Sequence, residues 1–182
     1  MYINNKRGYM EDIKLRGDFM GKTLVINMKD IVIEGDILDV AGDTTGIIYN
    51  ISKEIDDEIS VDYVDGENKS LLKQRKYGAC TFFFNLNKVW GSRKKDRIIK
   101  EISQYLNKDG EIYVWDINKE RGKIVDNKVK VILPNEKVKE IEFKNYNPLL
   151  TCSFEEVKKI LEKYCKIEET KVWEDIFFSI IY

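Results

Sequence analysis

The sequence contains no histidine, and it has only two prolines and three cysteines among its 182 residues. Without histidine, the chain cannot form the Ser-His, Cys-His or His-metal sites on which many hydrolases and metalloenzymes depend. It also lacks the side chain that is best suited to proton transfer near neutral pH. An enzyme with this composition must therefore use carboxylates, lysine, tyrosine or the alignment of its reactants.

The few cysteines indicate the cellular setting. Cys80, Cys152 and Cys165 are far apart and form no C-x-x-C pair, which argues against a zinc site. An odd number of cysteines, with no segment typical of a signal peptide, favours reduced thiols and a cytoplasmic location. No apolar run approaches the ~18 residues of a membrane span. We therefore expect neither a metal nor attachment to a membrane.

Charges of the two signs nearly cancel. The 31 basic and 32 acidic residues leave a net charge of −1, which does not favour nucleic acid or an anionic membrane as a partner. Hydrophobic residues make up 43% of the chain, which is enough for a core without stabilising disulfides or metals. The length favours one domain spanning residues 1–182.

The most informative stretch is Ile37–Gly46. It begins with a short apolar run typical of a buried strand, and small and polar residues follow from Ala41 onward. Isoleucines at helical spacing come next: Ile47, Ile48, Ile51 and Ile55. A strand, a turn of small residues and a helix form the nucleotide-binding corner of α/β folds. Small residues in the turn let the backbone approach a ligand closely.

Within this corner, Leu38-Asp39-Val40-Ala41-Gly42 resembles the first motif of the class I S-adenosylmethionine (SAM) dependent methyltransferases. That motif reads apolar, apolar, acid, apolar, Gly-x-Gly-x-Gly, and its glycine positions fall here on Ala41, Asp43 and Thr45. The resemblance implies a Rossmann-like α/β fold with a mostly parallel sheet, an antiparallel C-terminal strand and helices on both faces. It implies SAM as the cofactor.

The resemblance also suggests which residues bind the cofactor. Asp39 would orient the corner and the methionine amino group, and the backbone of Ala41 and Gly42 would line the donor. An acid after the second strand holds the ribose in such folds; Asp65, which follows the predicted strand Ile59–Val64, fits this role, with Asp62 as the alternative. Asn85, at the carboxyl end of the predicted strand Gly78–Leu86, is a candidate for contacts with the reacting end.

No catalytic residue is evident, although Asp116 and Tyr9 are candidates for a general base. The resemblance suggests that an N-terminal segment, residues 1–22, lies over the cofactor cleft, with a partly ordered tail as the alternative. A helix is predicted from Lys22 to about Ile33. Glu67–Lys76 is too short for the helix, strand and loop that the family has there. Lys88–Lys95 is a basic loop that contains Trp90 and suits either an anionic acceptor or a solvated helix start.

The C-terminal half has further predicted elements. A helix is predicted over Asp96–Leu106 and a strand over Glu111–Asp116. A hairpin insertion within 119–150 would contribute to the acceptor pocket. Ser153-Phe-Glu-Glu is a capping box that begins a helix. The last two strands, Ile167–Trp173 and Ile176–Tyr182, would supply the antiparallel strand that is typical of these methyltransferases.

The sequence leaves three candidate functions. The first is methyl transfer from SAM to a small-molecule acceptor; nucleic acid is disfavoured because neither an (Asn/Asp)-Pro-Pro-(Tyr/Phe) motif nor a long basic face is present. The second is a non-catalytic methyltransferase-like domain that acts through a protein partner. The third, a dinucleotide oxidoreductase, is disfavoured because the carboxylate of Asp43 would repel a pyrophosphate at the helix start. The oligomeric state is open.

Overall fold

The computed structural model describes residues 21–40, 46–55, 58–64 and 76–182. The strands in these ranges are β1 (Thr23–Asn27), β2 (Ile37–Val40), β3 (Val61–Tyr63), β4 (Tyr77–Phe83), β5 (Leu106–Ile117), β6 (Val125–Ile132), β7 (Val138–Asn145), β8 (Ile167–Trp173) and β9 (Ile176–Ile181). The α-helices are α1 (Ile47–Ile55), α2 (Ser92–Ser103) and α3 (Phe154–Leu161), and a short 3₁₀ helix covers Leu86–Lys88.

A six-stranded sheet organises the fold, in the order β3-β2-β4-β5-β9-β8. Strands β3, β2, β4 and β5 are parallel, whereas β9 runs antiparallel to both β5 and β8. The predicted α/β class is therefore confirmed, and the sheet is mixed, with β9 as an antiparallel strand. No described strand lies beyond β3 at that edge, and residues 65–75, which cover most of the shortened segment, lie outside the described residues.

The two faces of this sheet pack into separate cores because successive side chains of a strand point to opposite faces. Ile37, Ala79 and Trp115 belong to the core that includes the buried isoleucines of α1. Their sequence neighbours Leu38, Cys80 and Val114 belong to the other core, with α2 and α3. Helices thus lie on both faces, as predicted.

A second sheet, in the order β1-β6-β7, covers part of the α1 face. Strands β6 and β7 form the predicted hairpin, and β1 pairs in parallel with β6. The helix predicted over Lys22–Ile33 is wrong in this part, because Leu24 and Ile26 are buried while Val25 between them is 48% exposed. That alternation has the period of a strand, and β-branched residues favour it.

Helix α3 begins at the predicted cap. The Oγ of Ser153 accepts a hydrogen bond of 3.2 Å from the backbone N–H of Glu156. The Glu156 carboxylate completes no capping box, because it accepts hydrogen bonds from Lys95 and Ser92 on α2. This carboxylate therefore joins the starts of the two helices that cover one face of the sheet.

Several sequence-based predictions fall on residues outside the described ranges. They concern Ala41, Gly42, Asp43, Thr45, Asp65, Tyr9 and most of the segment 1–22. Among the described helices, none is long and apolar enough to cross a membrane.

The Ser153 cap leads to a stability prediction. Ser153→Ala should lower the free energy of unfolding by about 1 kcal/mol, because a backbone N–H at the start of α3 loses its acceptor. Urea denaturation measures this change. Ser103→Ala is the matched control, because the Ser103 hydroxyl only donates to the Lys100 carbonyl in the last turn of α2. Equal stabilities of the two variants would show that the cap contributes nothing.

Candidate functional site

The carboxyl ends of β2, β4 and β5 lie at the same edge of the sheet because the three strands are parallel. This edge carries Asp39 near the end of β2, Asn85 just after β4, and Asp116 near the end of β5. Ligands of such sheets bind outside the carboxyl ends of the strands. The structure therefore brings together the described members of the predicted site.

Asp39 is a buried carboxylate with a fixed orientation. Its side chain is 6% exposed, and its Oδ1 accepts a 2.7 Å hydrogen bond from the Thr81 hydroxyl. Thr81 is fully buried and lies beside Asp39 on the neighbouring strand β4. Burial raises the pKa of Asp39 to about 6, and the Thr81 hydrogen bond partly opposes that rise. At neutral pH this edge therefore holds a weakly solvated negative charge.

Asn85 ties the loop after β4 to the end of β2. Its Nδ2 donates a 2.7 Å hydrogen bond to the carbonyl of Val40, the residue that precedes the predicted turn. The Oδ1 of Asn85 makes no hydrogen bond to another residue that the structure describes. The side-chain amide is therefore held at the corner through its nitrogen, and its contact with the cofactor stays a prediction.

Asp116 and Asn87 form a buried polar contact between β5 and the 3₁₀ helix. Asp116 is fully buried; its Oδ2 accepts from the backbone N–H of Asn87 at 3.0 Å, and its Oδ1 accepts from Asn87 Nδ2 at 2.7 Å. Oδ1 also accepts from the backbone of Ile117. Because both carboxylate oxygens hold backbone and amide groups in place, this geometry favours a positioning role for Asp116 over that of a general base.

The same polar contact reaches the second sheet. Asn145, at the end of β7, donates to the Asn87 carbonyl at 3.0 Å and to the Asn87 Oδ1 at 3.1 Å. Burial raises the pKa of Asp116 to about 6, and the hydrogen bonds and the nearby charge of Lys95 counteract that rise. One asparagine thus joins the loop after β4, the end of β5 and the hairpin insertion.

Tyr63 lies beside Asp39 at the candidate site, and the sequence analysis did not select it. It lies opposite Asp39 in the parallel pairing of β2 and β3, and it is 39% exposed. Burial and the negative charge of Asp39 raise the pKa of its hydroxyl, with a smaller contribution from Tyr49 on α1. The sequence signal that could have identified Tyr63 was its position near the end of a predicted strand, two residues before Asp65, the predicted ribose-binding acid. Asp62, the alternative to Asp65, instead accepts a 2.6 Å hydrogen bond from Tyr77.

The chain bends at Phe84, between β4 and Asn85. Phe84 has a φ of 52°, a left-handed conformation that is uncommon for a bulky side chain. Its ring is buried and packs against Phe83 and Phe143, with centroids 4.9 and 5.1 Å away. Packing from both neighbours offsets the backbone strain, which is often found beside binding sites.

The buried Asp39 leads to a prediction about pH. Its pKa is higher in the folded chain, about 6, than the ordinary value of 3.8, so the folded state binds the proton more tightly. The contribution of Asp39 to stability is therefore greatest below about pH 4, and it declines as the pH rises to about 6. Asp39→Asn, which keeps an acceptor for Thr81, should raise the free energy of unfolding at pH 7 by about 2–3 kcal/mol.

Urea denaturation of the wild type and the variant from pH 4 to pH 8 measures this effect. The stability difference should be small near pH 4 and should reach its full size above pH 6. Asp109→Asn, at an exposed position of β5, is the matched control and should leave the pH profile unchanged. A variant that is destabilised equally at every pH would show that the charge of Asp39 costs no stability.

No protein-family model matches this sequence, and no curated protein matches it significantly. Solved structures do match. A SAM-dependent methyltransferase from Clostridium acetobutylicum ATCC 824 is 13% identical, with a TM-score of 0.51, over 84% of this chain and 85% of that chain. The CcbJ methyltransferase from Streptomyces caelestis is 9% identical, with a TM-score of 0.54, over 81% of this chain and 88% of that chain.

Both matches extend over most of this chain, and at these identities they establish similarity of fold. The fold agrees with the resemblance of the Leu38–Gly42 motif, the parallel core strands and the antiparallel β9. This chain therefore has the fold of the class I SAM-dependent methyltransferases.

Proposed function

We propose that this protein transfers a methyl group from SAM to a small-molecule acceptor. The observation that carries the proposal is the buried Asp39 carboxylate, which Thr81 orients at the carboxyl edge of a methyltransferase sheet. A buried acid with no cationic partner among the described residues costs stability. A cationic ligand offsets that cost when it binds, and SAM carries both an ammonium group and a sulfonium.

The residues present fit such a donor. Asp39 would accept hydrogen bonds from the methionine ammonium. The Oδ1 of Asn85 would accept a further hydrogen bond near the reacting end of the cofactor. The remaining proposed contacts are the backbone of Ala41 and Gly42 around the donor and the Asp65 carboxylate on the ribose. Asp43 and Thr45, which replace glycines of the motif, narrow the choice of backbone conformations at the corner.

The lack of histidine suits this chemistry. Bound SAM would supply a methyl group that its sulfonium already activates, with the neutral thioether as the leaving group and water as the base that takes the acceptor proton. The protein then contributes mainly the alignment of the two reactants. The hydrogen bonds of Asn85 and Asn87 hold the loop after β4 in place for that purpose.

Asp39 gives the sharpest test of the donor site. Calorimetric titration at pH 7.5 should show micromolar binding of SAM to the wild type. Asp39→Asn should weaken binding at least tenfold, because a charge-assisted hydrogen bond is lost. Wild-type affinity should also fall as the pH drops below about 6, where Asp39 takes up a proton. The affinity of the variant should change little over that range.

Asp109→Asn is again the control and should bind SAM as the wild type does. Absence of wild-type binding up to millimolar SAM would contradict the proposal. It would favour a methyltransferase-like domain that acts through a protein partner.

A second variant tests the ribose contact. Asp65→Ala should weaken SAM binding by about 1.5–3 kcal/mol, because the ribose hydroxyls lose a charged acceptor. The same calorimetric titration measures the change, with Asp62→Ala as the comparison. If only Asp62→Ala weakened binding, the ribose contact would belong to Asp62.

A further inference from the structure

We infer that the acceptor is an aromatic phosphate, which binds in a surface groove beside the donor site. The groove, called here the Trp90 groove, is lined by Trp90, Gly91, Ser92, Arg93, Lys94 and Arg97. The assignment of this ligand as the acceptor rests on the proposed methyltransferase function. The binding of the ligand rests on the groove itself.

The Trp90 groove lies at the same edge of the sheet as Asp39. It belongs to the connection that leaves the carboxyl end of β4 and leads into α2. Two side chains anchor this connection: Asn85 bonds to the Val40 carbonyl, and Asn87 bonds to the Asp116 carboxylate. Trp90 follows three residues after Asn87, so its position is fixed relative to the donor corner.

Trp90 presents an aromatic surface to solvent. Its side chain is 58% exposed, whereas its neighbour Val89 is buried and Trp115 is 1% exposed in the core. An exposed indole on an anchored loop offers a planar face that needs little ordering on binding. Stacking of a flat ring removes apolar surface from water on both partners. Trp90 therefore indicates an aromatic group in the ligand.

Three cations line the same groove as the Trp90 indole. Arg93, Lys94 and Arg97 are exposed, and none of them makes an ion pair or a side-chain hydrogen bond with any residue in the described ranges. Among the described residues of a chain with a net charge of −1, these three side chains form a local concentration of exposed positive charge. Guanidinium groups bind phosphate oxygens in pairs of parallel hydrogen bonds.

Two acids of this region, Asp96 and Glu156, already have partners among the described residues. Glu156 accepts from Lys95 Nζ at 3.0 Å and from the Ser92 hydroxyl at 2.7 Å. Asp96 accepts from Lys163 at 3.1 Å and from the Tyr164 hydroxyl at 2.9 Å. Asp96 and Glu156 are thus already paired with groups other than Arg93, Lys94 and Arg97, and an external anion would balance the charge of these three side chains.

The start of α2 also favours the binding of an anion. Its first turn contains no acid, and Gly91 offers no side-chain cap. Helix α3, by contrast, has a serine cap and two acids in its first turn. Cations at a helix N-terminus are disfavoured by the macrodipole. An anion bound by the arginine and lysine side chains would offset this repulsion as well.

The groove fits a small ligand with one phosphate. It offers one aromatic face and three cations in a single patch, whereas a long polyanion would need basic residues over an extended surface. A dianionic phosphate matches two guanidinium groups and an ammonium better than a single carboxylate does. We therefore assign the phosphate ester, together with its ring, as the recognised chemistry.

The test follows the three tryptophan indole N–H signals by ¹H–¹⁵N NMR, with the Trp90 signal assigned from Trp90→Phe. Phenyl phosphate is the probe, and inorganic phosphate, phenol and benzoate are the comparisons. Phenyl phosphate should shift the Trp90 signal and leave that of buried Trp115 in place. It should bind at least about fivefold more tightly than any comparison, because only this probe has both groups.

A pair of lysine variants separates the groove from general charge. Lys94→Gln should weaken phenyl phosphate binding at least about fivefold. Lys100→Gln removes the same charge from the last turn of the same helix and should change the affinity less than twofold. Equal weakening in the two variants would overturn the proposal, because binding would then be diffuse attraction.

Other outcomes are equally decisive. No shift of Trp90 with phenyl phosphate, or benzoate that binds as tightly, would overturn the phosphate assignment. A single-stranded oligonucleotide that binds a hundredfold more tightly than phenyl phosphate would replace the small ligand with a nucleic acid. S-adenosylhomocysteine is titrated into the same sample. Its failure to bind while phenyl phosphate still shifts Trp90 would overturn the methyltransferase function and leave the groove as an aryl-phosphate site.

Discussion

The buried contact between Asp116 and Asn87 is the constraint on which this edge of the molecule depends. The carboxylate accepts two hydrogen bonds from one asparagine, and removal of either residue would leave buried polar groups without partners. Because Asn145 joins the same contact, the end of β5, the loop after β4 and the hairpin insertion are fixed together. The position of Asn85 and that of the Trp90 groove follow from it, since both belong to the loop that Asn87 holds.

Asp39 illustrates how a binding site costs stability. Its carboxylate is buried with one hydroxyl as its described partner, an arrangement that would be more stable with a neutral side chain. The same poor solvation strengthens its attraction for a cation. Stability and donor binding therefore impose opposite demands on this residue, as is common at functional sites. Asp116 has a similarly raised pKa, but its hydrogen bonds serve the architecture.

Local patterns predicted most of the main sheet. The apolar run at Ile37 and the continuous run after Gly78 gave correct strands because buried parallel strands have few alternatives. Thr23–Asn27 was predicted as part of a helix. A run of contiguous apolar residues such as Leu24, Val25 and Ile26 fits both a helix and a strand, and only pairing with β6 makes the strand the stable structure. Thr81 and Tyr63 could not be assigned to Asp39 from sequence, since their proximity depends on the register between strands. The Asp116–Asn87 contact was hidden for the same reason.

The pairing of β1 with β6 has a consequence for synthesis on the ribosome. The start of β1 meets its partner through Lys22, which bonds to Asn127, 105 residues along the chain. At elongation rates of about 5–20 residues per second, β1 waits on the order of 5–20 s before β6 exists. The hairpin of β6 and β7 then closes within microseconds because its contacts are local. The second sheet is therefore completed late, and until then the backbone of β1 lacks the strand with which it pairs in the folded chain.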